Sequence, residues 1–260
     1  MEFTFGIITN GKSDPNLMKV VDSIRTLCIP VYEIIIVGNT SLRPMGNLAH
    51  IQLIPFDESK PNWITRKKNL ICQRAKYENI VLLHDYVILR ADWYTGFLRF
   101  GNSFDVCVNR ILNADGTRYR DFLLFMRYMY AIDKRFETQC LLPYDFTLNP
   151  IIARLAYVSG AYYVAKKHIA LQYPLDETKH WGEGEDVEFS YRTARAGICI
   201  QMNTHSTVSI LKQKDVLQFM HEITDPDLLK ILNSLTLEDT ERWKTDPLSE
   251  HLFPVLHIQK

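Results

Sequence analysis

The run NIVLLHDYVILRADW, from Asn79 to Trp93, begins as a continuous apolar segment with the character of a buried strand and stops abruptly at His84-Asp85-Tyr86. A histidine and a carboxylate at the end of such a strand admit two readings from the residues alone, a metal site or a polar turn.

Upstream of it, strands and helices alternate. FTFGIIT (Phe3 to Thr9) is a strand, and PNLMKVVDSIRTL has helical spacing with Pro15 suited to a first turn. VYEIIIVGN is a strand ending in Gly38-Asn39, HIQLIPF is another short strand, and ITRKKNLICQRAK carries the apolar stripe Ile64, Leu70, Ile71, Ala75. This order predicts an αβα sandwich on a parallel sheet. Ligands of such sheets sit beyond the carboxyl ends of the strands. Thr9-Asn10, Gly38-Asn39 and His84-Asp85 all fall there, so three separate stretches are expected to converge on one crevice. Polar turn residues would account for each pair alone, and their coincidence is the first functional signal.

The middle of the chain is less regular. NADGTRYRDF carries the tight-turn pair Asp115-Gly116, while LLFMRYMYAIDKRFETQCLLPYDF is ambiguous between helix and strand and is read as a flap or an acceptor wall. RLAYVSGAYYVAKK returns to strand character around Gly160, GEDVEFSYRTARAG is a helix that Gly197 ends, and ICIQMN is a strand. From Lys214 onward two or three short amphipathic helices follow, TDPDLLKILNSL being capped by Thr224 or Asp225. With no repeat, low-complexity tract or linker, residues 1–260 read as a single domain.

Composition narrows the function. Thirty basic residues balance thirty acidic ones, so no overall positive field favours nucleic acid, and the charge argues for a small ligand. The start MEFTFGIITNGKSD lacks a basic region followed by a long apolar run, and no later segment approaches the roughly 20 apolar residues of a membrane span. A soluble chain is expected. Cys28, Cys72, Cys107, Cys140 and Cys199 are odd in number and widely spread, as reduced thiols of a cytosolic protein are.

The densest polar cluster is HWGEGEDVEFSYR, from His180 to Arg192. Glu183 and Glu185 precede a helix, and Asp186 and Glu188 lie in its first turn, where the helix dipole stabilises each carboxylate by roughly 0.3 to 1 kcal/mol. Capping accounts for two of them. Four acids beside Trp181 and two glycines exceed what a cap needs, and Trp181 offers a face for stacking a sugar ring while a carboxylate removes a hydroxyl proton.

Taken together and in order, FGIITNGK, EIIIVGN, RKKNLICQRAKYENIVLLHD, VSGAYYVAKK and WGEGEDVEFSYRTARAG resemble an inverting glycosyltransferase of the GT-A fold that uses nucleotide-diphosphate sugars. The resemblance runs from Phe3 to His205. It implies a Rossmann-like αβα architecture in which residues 1–100 bind the nucleotide, 101–213 receive donor sugar and acceptor, and 214–260 form a helical tail. It places Thr9, Asn10 and Asn39 near base and ribose, Lys68 and Asn69 facing the nucleotide, and Gly160-Ala161 under the donor sugar. Asp186 matches the general base, with Glu185, Glu188 and Trp181 around the acceptor. His84-Asp85-Tyr86 stands where the family carries its Asp-x-Asp signature, in degenerate form, so Asp85 and His205 would hold a divalent Mn²⁺ or Mg²⁺ bridging the diphosphate. The activity implied is transfer of a hexose from a UDP-sugar to a glycan or glycolipid hydroxyl with inversion, in the cytoplasm, with peripheral contact to the inner face of a membrane left open.

Two further readings stay open. A sugar nucleotidyltransferase uses a similar sheet but carries a Gly-rich, basic loop after the first strand, where TNGKSDP has one glycine and one lysine. A non-catalytic sugar-binding descendant of the fold would suit the degenerate signature but has no need of a general base.

Overall fold

The computed structural model describes residues 1–41, 50–125, 135, 139–213 and 220–242. Strand β1 (Phe3–Ile8) is buried at all six positions. Its alternate side chains Phe3, Phe5 and Ile7 share one core with Leu17, Val20, Val21 and Ile24 of α1 (Asp14–Arg25). Ile8 belongs to the core on the other side of the sheet, with Ile71 and Cys72 of α2 (Ile64–Arg74). The period of two along the strand thus feeds two helical layers. Strands β2 (Tyr32–Val37), β3 (Ile51–Ile54) and β4 (Asn79–His84) complete a parallel unit ordered β3-β2-β1-β4.

Beyond β4 the sheet becomes mixed. The chain continues through β5 (Val87–Leu89), α3 (Trp93–Phe100), β6 (Val106–Leu112), β7 (Leu123–Phe125), β8 (Gln139–Leu141), β9 (Ala156–Tyr157) and β10 (Tyr162–Lys166). It then forms α4 (Lys167–Gln172), α5 (Glu185–Arg195), β11 (Ile200–Ile210), β12 (His221–Glu222), α6 (Pro226–Ser234) and α7 (Leu237–Arg242). The eight-stranded sheet runs β3-β2-β1-β4-β10-β6-β11-β5, with β10 antiparallel to both its neighbours and β5 antiparallel to β11. Strands β12-β8-β7-β9 make a smaller second sheet.

Several local expectations hold and two are corrected. Asp115-Gly116 closes a turn in which the Asn113 N–H donates to the Thr117 carbonyl at 2.8 Å. Gly197 follows α5 with φ +87°, and the Asp225 carboxylate caps α6 by accepting the Asp227 N–H at 2.9 Å. The single strand expected around Gly160 is instead two, β9 in the small sheet and β10 in the large one, because the chain turns at Ser159-Gly160 with the Tyr162 N–H donating to the Ser159 carbonyl at 3.1 Å. Strand β11 does not end at Asn203. A bulge between Asn203 and Thr207 resets its register on β6 and lets it run to Ile210. The ambiguous middle segment contributes β7 and β8, while its flap reading rests on residues 126–134 and 136–138, outside the described residues. All five cysteines are free thiols, and no helix among the described residues is long and apolar enough to cross a membrane.

Candidate active site

Three strand ends meet as the alternation requires. The Asp85 N–H donates to the Ile8 carbonyl and the Thr9 N–H to the Val37 carbonyl, both at 3.1 Å, so the ends of β4, β1 and β2 are laced side by side. At Gly38, φ is +139° and a Cβ would lie 2.1 Å from the Thr9 carbonyl oxygen, an approach only glycine permits. The Thr9 hydroxyl donates to Asp85 Oδ2 at 2.6 Å and in turn accepts the Gly11 N–H at 3.0 Å. Beyond these ends opens a crevice of about 310 Å³ whose lining includes Thr9, Asn10, Asp85, Tyr86, Trp181 and Lys212. Asn39 is exposed at the neighbouring strand end.

A carboxylate pair lies next to this crevice along the backbone. The His84 N–H donates to the Ala161 carbonyl at 3.1 Å, which sets Gly160-Ala161 beside the end of β4. The Gly160 N–H donates to Asp186 Oδ2 at 2.8 Å, and the Gly160 carbonyl accepts the Lys68 ammonium at 2.6 Å. A Cβ at Gly160 would stand 2.9 Å from Glu185 Oε1 and 3.1 Å from Asp186 Oδ2, so the missing side chain leaves room for both carboxyl groups. Glu185 is buried, and burial first, then the neighbouring Asp186 charge, pushes its carboxyl up to about 7. Lys68 and Arg120 oppose that rise. Burial lowers the pKa of Lys68 itself, against the pull of Glu185 and Asp186.

Helix geometry corrects part of the expected nucleotide contact. At about 100° per residue, successive positions of α2 face different ways. Lys67 lines the crevice, where its ammonium donates to the Thr9 carbonyl at 2.7 Å and to Glu58 at 2.5 Å. Lys68 turns inward to Gly160. Asn69 is spent on the segment leading to α5, donating to the Leu175 carbonyl at 2.8 Å and accepting the Leu175 N–H at 2.9 Å. Glu188 pairs along its own helix with Arg192 at 2.8 Å. Trp181 is 50% exposed and lines the crevice mouth.

Arg120 is the site residue that sequence reasoning missed. It follows the Asp115-Gly116 turn, donates to the Tyr157 hydroxyl at 3.3 Å, and acts electrostatically on Asp186, Glu185 and Tyr86. Its Nε is buried without a hydrogen-bond partner among the described residues. The clue in the sequence was an alternation of arginine with aromatic residues in RYRDF, which nothing local ties to the acidic helix.

The expected metal ligands do not come together. His205 sits in the β11 bulge, where its carbonyl packs against Gly96 of α3. The crevice end of β11 is fixed instead by the Leu211 N–H donating to the Tyr86 carbonyl at 2.8 Å. His205 is not among the residues that line the crevice with Asp85. Asp85 is held by Thr9 and faces two ammonium groups, Lys212 and Lys67, which oppose the upward push of burial on its pKa. Among the described residues no group of three His, Cys, Asp or Glu side chains is arranged to hold a metal ion. A hard divalent cation takes its oxygens from carboxylate, phosphate and water. The crevice offers it Asp85 beside His84, but the positive charges of Lys212 and Lys67 already act on that carboxylate, and their repulsion is what disfavours a further cation there.

No family model matches the chain, and no curated protein matches it in sequence. Solved structures match in fold. GalNAc-T7, crystallised with UDP, GalNAc and Mn²⁺, is similar with a TM-score of 0.56 at 13% identity, covering 81% of this chain and 43% of that one. S. aureus TarS 1-349 in complex with UDP-GlcNAc is similar with a TM-score of 0.56 at 10% identity, covering 94% of this chain and 70% of that one. S. aureus TarS matches with a TM-score of 0.55 at 11% identity over 97% of this chain and 41% of that one. These are GT-A glycosyltransferases, and the fold of this chain is GT-A.

Proposed function

We propose that the protein transfers a hexose from a nucleotide-diphosphate sugar, UDP-linked, to a hydroxyl of a glycan or glycolipid acceptor with inversion. The observation that carries this reading is the Gly160-Ala161 segment, which ties the strand-end crevice to the Asp186 and Glu185 carboxyl groups through the Ala161 carbonyl and the Gly160 N–H. A donor whose nucleotide lies along Thr9, Asn10 and Asn39 would extend its sugar over Gly160-Ala161 toward Asp186. The same division assigns residues 1–100 to the nucleotide and 101–213 to sugar and acceptor.

In this reading Asp186 accepts the proton of the acceptor hydroxyl as that oxygen bonds to the anomeric carbon and the bond from that carbon to the diphosphate oxygen breaks. One displacement inverts the centre, and the electron pair leaves with the nucleoside diphosphate. The backbone N–H of Gly160 fixes the base, Trp181 offers the acceptor ring a stacking face, and Arg120 places a positive charge beside the base.

The test is a screen of nucleotide sugars for hydrolysis and for transfer to a mixed glycan acceptor pool, with the anomeric configuration of the product read by NMR. Release of nucleoside diphosphate with an inverted glycosidic product is expected. Release of inorganic pyrophosphate from a nucleoside triphosphate plus sugar phosphate would replace this reading with the nucleotidyltransferase one. Sugar binding without turnover of any donor would replace it with the non-catalytic one.

A further inference from the structure

We propose that Lys212 binds the diphosphate where a divalent cation would otherwise act, and that donor binding is metal-independent. The inference rests on the donor reading above.

Lys212 follows directly on Leu211, whose N–H donates to the Tyr86 carbonyl at 2.8 Å. That bond delivers the side chain to the crevice, with its ammonium 5.6 Å from the centre of the Tyr86 ring and close enough to Asp85 to act on its charge. The two crevice lysines are also in different states. Lys67 is buried and consumed by Glu58 and the Thr9 carbonyl. Lys212 is exposed and makes no ion pair among the described residues, so its charge is available to a ligand.

The rest of the lining suits an anion held without metal. Tyr86, which follows Asp85 in the lining, is a neutral phenol, since burial pushes its pKa well above the ordinary value. Ser13 and Asn16, at the start of α1, line the same crevice, where the positive end of a helix dipole favours negative charge. An ammonium serves phosphate as a mobile point charge without demanding the fixed oxygen shell that a divalent ion needs.

The experiment measures binding of UDP, GDP, ADP and dTDP, and of the matching nucleosides, by ligand-observed NMR and calorimetry in chelator and in Mn²⁺. Wild type, Lys212→Gln and Lys212→Arg are compared. The expected result is diphosphate binding in chelator, changed less than about 2-fold by Mn²⁺. Lys212→Gln should weaken it about 10-fold, the equivalent of about 1.4 kcal/mol, with nucleoside binding unchanged, and Lys212→Arg should restore most of the loss. Binding that requires Mn²⁺, or undiminished diphosphate binding by Lys212→Gln, overturns the inference and leaves the donor reading standing. Failure of wild type to bind any nucleoside diphosphate under either condition overturns the donor reading and this inference with it.

Discussion

Replacing Glu185 by glutamine should change the stability of the protein in a pH-dependent way. The carboxyl moves from an ordinary 4.5 to about 7 on folding, because it is buried and stands beside Asp186. A raised acid stabilises the fold fully below its unfolded pKa and loses that contribution as pH rises through its folded one. The window here is therefore from 4.5 to about 7. At roughly 1.4 kcal/mol per pH unit, ionising Glu185 in place costs on the order of 3 kcal/mol once the pH is well above 7, most of it accruing between about pH 5 and about pH 8. Glutamine has nothing to ionise, so Glu185→Gln should gain on wild type by that amount across the interval.

Urea unfolding of both proteins at half-unit pH steps gives the difference directly. Any fixed cost of burying an amide shifts the difference curve without changing its slope, and groups that do not interact with Glu185 cancel, so the curve reports Glu185 together with its neighbours Asp186 and Lys68. In thermal melts the same change should appear as roughly 5 to 10 °C of relative gain for the variant, at about 2 to 4 °C per kcal/mol for a chain of this size. A difference curve that is flat between about pH 5 and about pH 8 would refute the argument, and one that falls would mean that Lys68 and Arg120 outweigh burial.

Asp186→Asn should lower transfer by about 10² or more with donor binding little changed, since it keeps shape but cannot accept the proton; pre-steady-state transfer and nucleotide binding check it. Gly160→Ala places a methyl 2.9 Å from Glu185 Oε1 and 3.1 Å from Asp186 Oδ2, so kcat should fall about 10-fold or more while UDP affinity holds, because the crevice itself is untouched. Trp181→Ala should raise the acceptor KM about 10-fold with little effect on folding, as the ring is half exposed; circular dichroism and acceptor titration separate the two.

The parts legible in the sequence were those whose cause is local. Six buried residues in a row at β1 and β4, the helical stripe of α2, and the acids of α5 each announce themselves within a dozen positions. The crevice followed for two of the three expected strand ends, those of β1 and β4, which open on the same side of one parallel sheet, while Gly38 and Asn39 stand at the neighbouring end without lining it. What could not be read depends on partners far along the chain. Asn69 carries a polar side chain on a helix of apparent binding character, yet its amide is committed to Leu175. Glu188 belongs to the acid cluster by position and to Arg192 by geometry. Arg120 reaches the acidic helix only because the Asp115-Gly116 turn returns the chain toward it, and residue spacing does not encode that encounter.

The same distinction resolves the turn at His84-Asp85-Tyr86. A strand ending at Asn203 would leave His205 just beyond it, beside Asp85, and a metal would be the natural occupant between them. The bulge between Asn203 and Thr207 keeps β11 on the sheet as far as Ile210, so His205 is held back against α3 and the residue that emerges at the crevice is Lys212. A few residues of irregular register thus exchange an imidazole for an ammonium at the place where the diphosphate is proposed to lie. Asp85, which belongs to no group of three His, Cys, Asp or Glu side chains able to hold a metal ion among the described residues, then serves as the acceptor that orders Thr9. Asp85→Asn should accordingly lose less diphosphate binding than Lys212→Gln, the reverse of the order that a metal carboxylate would impose.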